Sequence, residues 1–325
     1  MAISWSLWAG ALAQGLAFAF LAWGVFLAFR VLRFADISVD GTFTLGAAAG
    51  AVMLLNDFSP VMALTVAFCA GAAAGSITGI IHTRFGVADL LAGILTMTAL
   101  YSVNLRVMGR ANINLGDVPT IVTPFVASLE NFWETTLERV LKDFIPGFSL
   151  SLNDFLWFSV LLVIVLIAWL VFALLLRTDY GLALRATGDG PAMANAQGID
   201  TRLTITAGLA LSNGLAATAG ALMMMFQGLA DIGMGIGSLV MGMAAVILGE
   251  SFFGRKAIPF LLMGVVGGSI LFRILVAFAL QSKLDPNDLK LATAIFVLAA
   301  LTIPKLALVR RFTKRNKADA SGVTL

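Results

Sequence analysis

The sequence predicts an all-α polytopic membrane protein of about nine transmembrane helices, within a range of about eight to ten, arranged as an inverted repeat of helix groups. The composition is 60% hydrophobic and only 12% charged, whereas a soluble globular domain has about 25% charged residues. Apolar runs of about 20 residues, the length of a membrane-crossing helix, recur along the chain. Landmarks from its beginning also return near its end. Together these observations argue against a soluble protein with buried core helices.

The apolar runs place the spans in order along the chain. The first run contains no basic residue before Arg30 and is too long for a signal peptide, so we expect it to remain as a span. The predicted spans are Leu7–Phe29, Ile37–Leu55, Val61–Ile81, Ala88–Met108, Phe155–Leu176, Leu203–Gln227, Ile232–Leu248, Ile258–Leu280 and Lys290–Leu308.

The basic residues predict the orientation, because positive charges accumulate in cytoplasmic loops. With the N-terminus outside and the C-terminus inside, the larger set of basic residues is cytoplasmic and includes a basic tail at 309–325. We therefore expect a multi-pass membrane protein in this orientation. The cytoplasmic set is Arg30, Arg33, Arg84, Arg177, Arg185, Arg202, Arg255, Lys256, Arg310, Arg311, Lys314, Arg315 and Lys317, and the outer set is Arg106, Arg110, Arg139, Lys142, Lys283 and Lys290.

One sizeable external segment is expected, at 109–152. Within it, apolar residues recur at helical spacing and acidic residues fall largely on the opposite face, which predicts an amphipathic helix. The helix either lies in the membrane interface or helps to form a docking rim for an external partner. The apolar residues are Leu129, Phe132, Trp133, Leu137, Val140, Leu141 and Phe144, and the acidic ones are Glu130, Glu134, Glu138 and Asp143.

Three landmarks occur twice, in the same order and at nearly equal spacing. GLAFAF at Gly15 resembles GLALSN at Gly208, DISVDGTFTLGAA at Asp36 resembles DIGMGIGSLVMGMAA at Asp231, and AGAAAGSI (70–77) resembles MGVVGGSI (263–270). An odd number of spans separates the copies, so they run in opposite directions, as in transporters whose pathway lies between inverted repeats. We expect one transmembrane domain, 1–325, with repeats at 7–108 and 203–308. Glycines at four-residue spacing are expected to allow close helix packing: Gly71, Gly75, Gly79, Gly264 and Gly268.

The paired segments at Asp36 and Asp231 are polar or glycine-rich in their first turn. Interrupted segments at corresponding positions of two repeats indicate a translocation pathway. A carboxylate at membrane depth is costly and usually faces a bundle interior or a cavity. The pathway candidates are therefore Asp36, Ser38, Asp40, Thr42, Thr44, Asp231, Gly233, Gly235 and Gly237.

A simpler interpretation is available for several charged residues. Asp36 is equally compatible with an interfacial position, paired with Arg30 or Arg33. Arg106, Glu250 and Arg273 lie near the predicted ends of spans, so we expect them to be interfacial.

Residues 185–200, RATGDGPAMANAQGID, predict a short cytoplasmic helix between two spans. Asp189 or Gly190 can serve as its N-cap, and Pro191 suits the first turn, where a missing N–H is harmless. Gly198 suits a left-handed C-terminal position. The surface of this helix consists mainly of small side chains, which suits insertion into a groove on a partner protein.

The residues around this helix resemble a known family. TDYGLALRATGDGPAMANAQGIDTRLTITAGLALSNGLAATAGAL (178–222) resembles the cytoplasmic loop and following helix of ABC-importer permeases of the branched-chain amino acid and ribose type. GIGSLVMGMAAVILGESFFG (235–254) resembles their next helix. DISVDGTFTLGAAAGA (36–51) and LLAGILTMTALYSVNLRVMGR (90–110) resemble a branch whose binding proteins take up aromatic amino acids or related compounds. The matches extend from Val31 to Leu306. Glu250 replaces a glycine of many relatives, which leaves its role open.

The resemblance implies the permease subunit of an ABC importer, acting as a homodimer with two ATPase subunits and an external solute-binding protein. The solute would be small and polar, an amino acid or a related compound. ATP and magnesium would bind to the partner ATPase, because this chain has no G-x-x-x-x-G-K-[ST] motif, and no cofactor is expected on the chain itself. The loop 177–202 would be the coupling loop, with its small face on the ATPase and with these coupling residues: Arg185, Gly188, Asp189, Pro191, Ala192, Ala194, Gly198 and Ile199.

Other functions are supported less well. A secondary transporter driven by an ion gradient would explain the repeat and would give Asp36 or Asp40 a coupling role, but it leaves the capped helix unexplained. An enzyme lacks a nucleophile–base pair or a His cluster in the spans, so no catalytic residues are expected. One cysteine, Cys69, and one histidine, His82, can form neither an internal disulfide nor a conventional zinc site, and the net charge of +3 does not indicate nucleic-acid binding.

Overall fold

The computed structural model of the protein describes residues 5–133, 151–253 and 258–281, together with residue 298. Seven helices in this part of the chain are long and apolar enough to cross a membrane, and one further apolar helix is shorter. The prediction of an all-α polytopic membrane protein is confirmed. The predicted span Lys290–Leu308 lies, apart from residue 298, outside the described residues, and so does the tail 309–325.

The helices follow the apolar runs of the sequence. Helix α1 (Trp5–Val25) continues as a π-helical turn, Phe26–Val31. The remaining elements are α2 (Ser38–Leu55), α3 (Pro60–Phe85), α4 (Asp89–Met108), β1 (Asn112–Asn114), α5 (Thr123–Phe132), α6 (Leu152–Leu175), α7 (Asp179–Asp189), α8 (Pro191–Ala196), α9 (Thr201–Gln227), β2 (Leu229–Asp231), α10 (Ser238–Phe253) and α11 (Ile258–Gln281).

Local chemistry explains where the long helices start and stop. The hydroxyl of Ser59 accepts a hydrogen bond from Met62 N at the start of α3, and Asp200 accepts from two backbone N–H groups at the start of α9. Gly86 and Gly228 end these helices in the left-handed conformation, both at φ +68°. The start predicted at Ile232 is wrong, because residues 232–237 form turns and α10 begins only at Ser238.

The inverted repeat is visible in the packing of α9 against the first repeat. Helix α9 runs parallel to α2 and antiparallel to α3. A Cβ added at Gly46 of α2 would lie 1.9 Å from the carbonyl oxygen of Ala217, so these two backbones touch. Leu209, beside the repeat landmark Gly208, meets Gly75 of α3 in the same way.

The same arrangement recurs with the repeats exchanged. Helix α1 runs parallel to α10 and antiparallel to α11, and Gly15, the partner landmark of Gly208, lies against Ile270 of α11. The hydroxyl of Ser269 donates to the carbonyl oxygen of Gly15 at 2.6 Å, and the indole of Trp23 donates to that of Leu262 at 3.0 Å. Helices α1 and α9 therefore each pack on two helices of the other repeat.

The loops gather at two ends of the bundle. At the basic end, Arg33 pairs with Asp189, Ala35 N donates to the carboxylate of Asp89, and the α6–α9 connection lies nearby. Arginines predicted to share one side of the membrane lie here: Arg30, Arg33, Arg84, Arg177, Arg185 and Arg202. At the opposite ribbon end, β1 and β2 form an antiparallel pair.

Two non-helical stretches enter the bundle from opposite ends. Residues 32–37 lead from the basic end to the start of α2, which lies beside Asn213, close to the middle of α9. Residues 232–237 lead from the ribbon to the start of α10, which lies beside Asp40 of α2. Helices α2 and α10 thus begin inside the protein. Irregular backbone is tolerated there only if protein groups satisfy its hydrogen bonds.

The outer helices present apolar faces. Exposed leucine, isoleucine and valine side chains line α6, including Leu166, Ile167 and Leu170, as expected of a face in contact with lipid. The helix predicted in the external segment begins at Thr123 and is described as far as Phe132, and Trp133 packs on Phe155 of α6 with ring centroids 5.0 Å apart. Its predicted continuation, Leu137, Val140, Leu141 and Phe144, lies outside the described residues.

Candidate functional site

The start of α2 is held by a fully buried carboxylate. Asp36 Oδ1 accepts hydrogen bonds from the backbone N of Ser38 at 2.9 Å and from its hydroxyl at 2.5 Å. Asp36 Oδ2 accepts from Asn213 Nδ2 at 2.7 Å. Such bonds make burial of a carboxylate tolerable and stabilise the first turn of the helix. Asp36 therefore ties the interrupted stretch to the middle of α9.

Buried hydroxyls extend this contact to two further helices. Thr42 donates to Asn213 Oδ1 at 2.8 Å. The hydroxyl of Thr78 on α3 lies 3.3 Å from that of Ser38 and 2.9 Å from that of Thr96 on α4. Four helices thus share one polar cluster, made of Asp36, Ser38, Thr42, Thr78, Thr96 and Asn213, which we call the Asp36 cluster.

The alternative pairing of Asp36 with Arg30 or Arg33 is wrong. Arg30 pairs with Glu250 at 2.6 Å, and Arg33 pairs with Asp189 at 2.6 Å. Both ion pairs lie at the basic end and are partly exposed, whereas Asp36 lies deeper and bonds only to neutral groups. This geometry also gives Glu250 a partner, since it joins the end of α10 to the π-helical turn after α1.

The start of α10 is held by a residue of the other repeat. Asp40 Oδ1 accepts from the hydroxyl of Ser238 at 2.9 Å and from Leu239 N at 2.7 Å, and Oδ2 accepts from Gly237 N at 3.1 Å. A carboxylate at a helix N-terminus satisfies its free N–H groups and complements the helix dipole. Here the cap comes from about 200 residues away in the chain.

The glycine-rich stretch before α10 fits closely around α2. Gly235 N donates to the hydroxyl of Thr44 at 3.1 Å, and a Cβ at Gly235 would lie 2.0 Å from the carbonyl oxygen of Asp40. Gly237 has φ +86°, a conformation that side chains disfavour. Asp231 Oδ1 accepts from Gly233 N at 2.8 Å, the same local turn that Asp36 makes with Ser38.

The structure brings most of the pathway candidates together as a packed junction. Ser38, Thr42 and Thr44 are buried with Asp36, and Asp40 lies against the start of α10. Asp231 instead belongs to the ribbon. The junction of α2 and α10 therefore fills the place where the two repeats cross.

The predicted packing glycines lie on tight helix contacts. Gly71 and Gly79 of α3 face α9, where a Cβ would lie 2.4 Å from Ala217 Cβ and 2.6 Å from Thr206 Cα. On α11, Gly268 lies against the carbonyl oxygen of Ala245, and Gly264 lies against Gly249 of α10. These contacts leave no room for larger side chains.

The α6–α9 connection at the basic end contains two helices, where the sequence suggested one. Arg185, Gly188 and Asp189 belong to α7, and Arg185 donates to the carbonyl oxygens of Gly181 and Leu176 across the preceding corner. A Cβ at Gly188 would lie 1.9 Å from the carbonyl oxygen of Val31. Helix α7 thus rests directly on the end of α1.

Helix α8 is built largely as its sequence indicates. Gly190 is the N-cap, Pro191 occupies the first turn, and Gly198 has φ +85°. The expected outward face needs a correction: Ala194 is 2% exposed and points into the protein, whereas Met193 is 68% exposed. The backbone N of Ile199 donates a hydrogen bond to the carbonyl oxygen of Ala194 and closes the capped loop. Ala194 therefore holds the loop together. Ala192 remains exposed and Ile199 is half-buried.

One expectation for the charged residues fails. Arg106, in the last turn of α4, is exposed, and Glu250 lies near the end of α10, as an interfacial position requires. Arg273, however, lies well inside α11, level with Gln14 of α1, and stacks on the ring of Phe18. The predicted span ends at Leu280 and α11 ends at Gln281, about two turns beyond Arg273, so the error concerns the place of Arg273 within the helix and not the length of the helix.

Several residues of the junction escaped the sequence analysis. Asn213 and Thr96 lie on predicted spans in which no functional residue was proposed. Asn104 was also missed, and it donates a hydrogen bond to the carbonyl oxygen of Gly41. An isolated amide in a long apolar run was the available signal, because such a group must find a partner. Met193 was missed because exposure of a single side chain depends on the tertiary packing of α8.

Comparison with known proteins points in one direction. Residues 7–302 match the model of a family described as "Branched-chain amino acid transport system / permease component". The chain is 34% identical over 293 residues, 90% of each chain, to a tyrosine transport system permease protein of Clostridioides difficile (strain R20291). It is 33% identical to an uncharacterized protein of Rickettsia prowazekii (strain Madrid E), over 91% of this chain and 96% of the other. No solved structure matches.

Proposed function

Because the chain belongs to the branched-chain amino acid transport system permease family, we propose that it is the membrane-spanning subunit of an ATP-driven importer, moved by separate ATPase subunits that dock on α7 and α8. The main support is the close contact of Gly188 in α7 with Val31, in the π-helical turn after α1. A force on the exposed side of α8 reaches the bundle through this contact.

The contacts continue from there toward the junction. Leu32, the residue after Val31, fills the space beside Gly208 of α9 together with Leu184 of α7. Arg33 bonds Asp189 at the end of α7. The next residues of the chain, 34–37, lead into the Asp36 cluster. A shift of α7 would therefore move the stretch that holds the start of α2 relative to α9.

The proposed solute is an amino acid. The support is the relative from Clostridioides difficile, which is named as a permease of tyrosine transport, together with the family description. Little of the described chain stands outside the bundle at the ribbon end, so we propose that an external binding protein selects and delivers the solute. A second copy of the chain would complete the pathway in the bacterial inner membrane, with the basic end in the cytoplasm.

Co-purification tests the ATPase contact. The tagged chain is expressed with the ATPase encoded beside it and is isolated in mild detergent as native protein, as Met193→Arg and as Met62→Arg. Met62 is a matched control, because it is also an exposed methionine but lies at the ribbon end, in the first turn of α3. A bulky charge on α8 should displace a partner seated there.

We expect the native chain and Met62→Arg to retain the ATPase and Met193→Arg to lose it. Equal retention by all three proteins would place the ATPase elsewhere on the chain. Absence of the ATPase from the native complex would contradict the proposal as a whole.

One observation supports a second candidate, a secondary transporter driven by an ion gradient. Asp36 is a buried carboxylate with no cationic partner among the described residues, a feature found in ion-coupled transporters. Against it, both carboxylate oxygens are already occupied by Ser38 and Asn213. Uptake that survives collapse of the ion gradients but stops when ATP is depleted supports the importer, and the reverse result supports the second candidate.

A further inference from the structure

Arg273 is a charged side chain partly buried inside the helical bundle. It lies on α11, opposite Gln14 and Phe18 of α1. Its Nη1 donates to Gln14 Oε1 at 3.2 Å, and its guanidinium carbon lies 3.8 Å from the centroid of the Phe18 ring. Both contacts hold the guanidinium in place, but neither neutralises its charge.

One edge of this guanidinium has no partner among the described residues. Its Nε is buried without a hydrogen bond, and Nη2 makes none within the described residues. The ion pairs in that part of the chain are Arg30–Glu250 and Arg33–Asp189, so no carboxylate faces Arg273. The Nε and Nη2 groups form the fork that binds both oxygens of a carboxylate. A partly buried charge with an empty fork is costly in a membrane span, and such residues usually serve transport.

The first repeat has no arginine at the place that corresponds to Arg273. Extending the match of Ala70–Ile77 with Met263–Ile270 by three residues aligns Arg273 with Ile80 of α3. An isoleucine thus serves at the corresponding place in the first repeat, where it is partly exposed. The charge is an addition to the second repeat, on the face of α11 that meets α1.

The space beside Arg273 is small in this conformation. A cavity of about 10 Å³, room for a single water molecule, lies between α1, α10 and α11. Its wall on the α10 side consists of Met241, Gly242 and Ala245. A movement of α10 away from α1 would uncover the empty fork.

We propose that Arg273 binds the carboxylate of the transported solute during passage, when α10 and α11 separate from α1. This inference rests on the proposed function, and it names the chemical group that the permease itself recognises. The carboxylate would occupy the Nε and Nη2 edge, while Gln14 and Phe18 keep the guanidinium oriented.

Uptake by the complete transporter tests the assignment. Cells lacking their own tyrosine uptake express the chain with its ATPase and binding protein, and the probes are radiolabelled L-tyrosine and its uncharged-carboxyl analogue L-tyrosinamide. The variants are Arg273→Gln, Arg273→Lys and the control Arg106→Gln, which removes an exposed arginine from α4. Immunoblots and ATPase co-purification establish that each variant assembles.

Arg273→Gln should lower L-tyrosine uptake at low concentration by about tenfold to a hundredfold, the effect of losing a charge-assisted bond. It should also lower the ratio of tyrosine to tyrosinamide uptake, because the binding protein is the same in every strain. Arg273→Lys should restore part of the uptake by supplying charge without the fork, and Arg106→Gln should resemble the native chain.

Two results would overturn the inference alone. One is tyrosine uptake by Arg273→Gln within about twofold of native. The other is an equal loss of both probes, which a merely structural arginine produces. A native transporter that assembles with its ATPase but takes up neither probe would instead contradict the proposed amino-acid substrate, and the inference with it.

Discussion

Helices α2 and α10 both begin where the two repeats cross, but different groups hold their starts. Helix α2 depends on its own carboxylate, Asp36, two residues before its first turn, backed by Asn213 of α9. Helix α10 depends on Asp40, which belongs to α2. The dependence therefore runs in one direction. Helix α10 needs a correctly placed α2, whereas α2 is held against α9. The two repeats are alike in the arrangement of their helices, but they differ in the side chains that hold the helix starts.

Removing the anchor of α2 should have the largest effect. Asp36→Leu leaves the backbone N–H of Ser38 and one N–H of Asn213 buried without an acceptor, because the Ser38 hydroxyl keeps Asn213 Oδ1 and the other N–H of Asn213 keeps the carbonyl oxygen of Leu209. Such orphaned groups cost about 1–3 kcal/mol each. We expect a loss of roughly 3 kcal/mol or more in stability, measured as thermal unfolding of the detergent-solubilised protein. Asp117→Leu, which changes an exposed aspartate at the ribbon end, is the control. Equal melting temperatures for the two variants would show that the Asp36 cluster does not hold α2.

Crowding the crossing point should come next. In Gly235→Ala the new Cβ meets the carbonyl oxygen of Asp40, and overpacking of this kind costs about 1–3 kcal/mol. The matched control is Gly233→Ala, where the nearest atom is a side-chain oxygen of Asp231 at 3.2 Å. We expect only the first variant to unfold at a clearly lower temperature. If Gly233→Ala is the more damaging change, the close contact of residues 232–237 with α2 is not present in solution.

Removing the borrowed cap should have a smaller effect, confined to α10. Asp40→Ala deletes the acceptor for three donors, and loss of an N-cap costs about 1 kcal/mol. Val240 is exposed in the first turn of α10, so a cysteine there, in a Cys69→Ala background, should react faster with a thiol reagent when Asp40 is removed. A cysteine at Leu55, the end of α2, serves as control and should react unchanged. Faster reaction at both positions would mean that α2 also needs Asp40.

The smallest effect is expected at the basic end. Glu250→Gln breaks the pair with Arg30, whose side chain is 42% exposed, and exposed ion pairs contribute about 0–1 kcal/mol. The melting temperature should change little, and the remaining difference should vanish in high salt. A loss comparable to that of Asp36→Leu would show that this pair is part of the core of the bundle.

The sequence predicted the helices, their repeat and the grouping of the basic loops, because these depend on composition and local pattern. Asp36 and Asp40 were found as candidates since carboxylates are rare in apolar runs. Their partners were not, because the meeting of Asp40 with Leu239 or of Asp36 with Asn213 depends on tertiary packing across most of the chain. The same reason explains the error at Ala194, whose small side chain suits either side of a short helix.

The exchange of partners between repeats also affects how the protein is made. Helices α2 and α3 complete their packing only against α9, and the Asp36 carboxylate meets Asn213 only after some 177 further residues have been synthesised. During that time the Oδ2 oxygen of this aspartate lacks its amide partner, while Oδ1 accepts only from the neighbouring Ser38. A chain truncated after α6 should consequently be degraded faster in pulse–chase labelling than the full chain. Early spans that wait for late ones make this a protein whose two halves cannot mature separately.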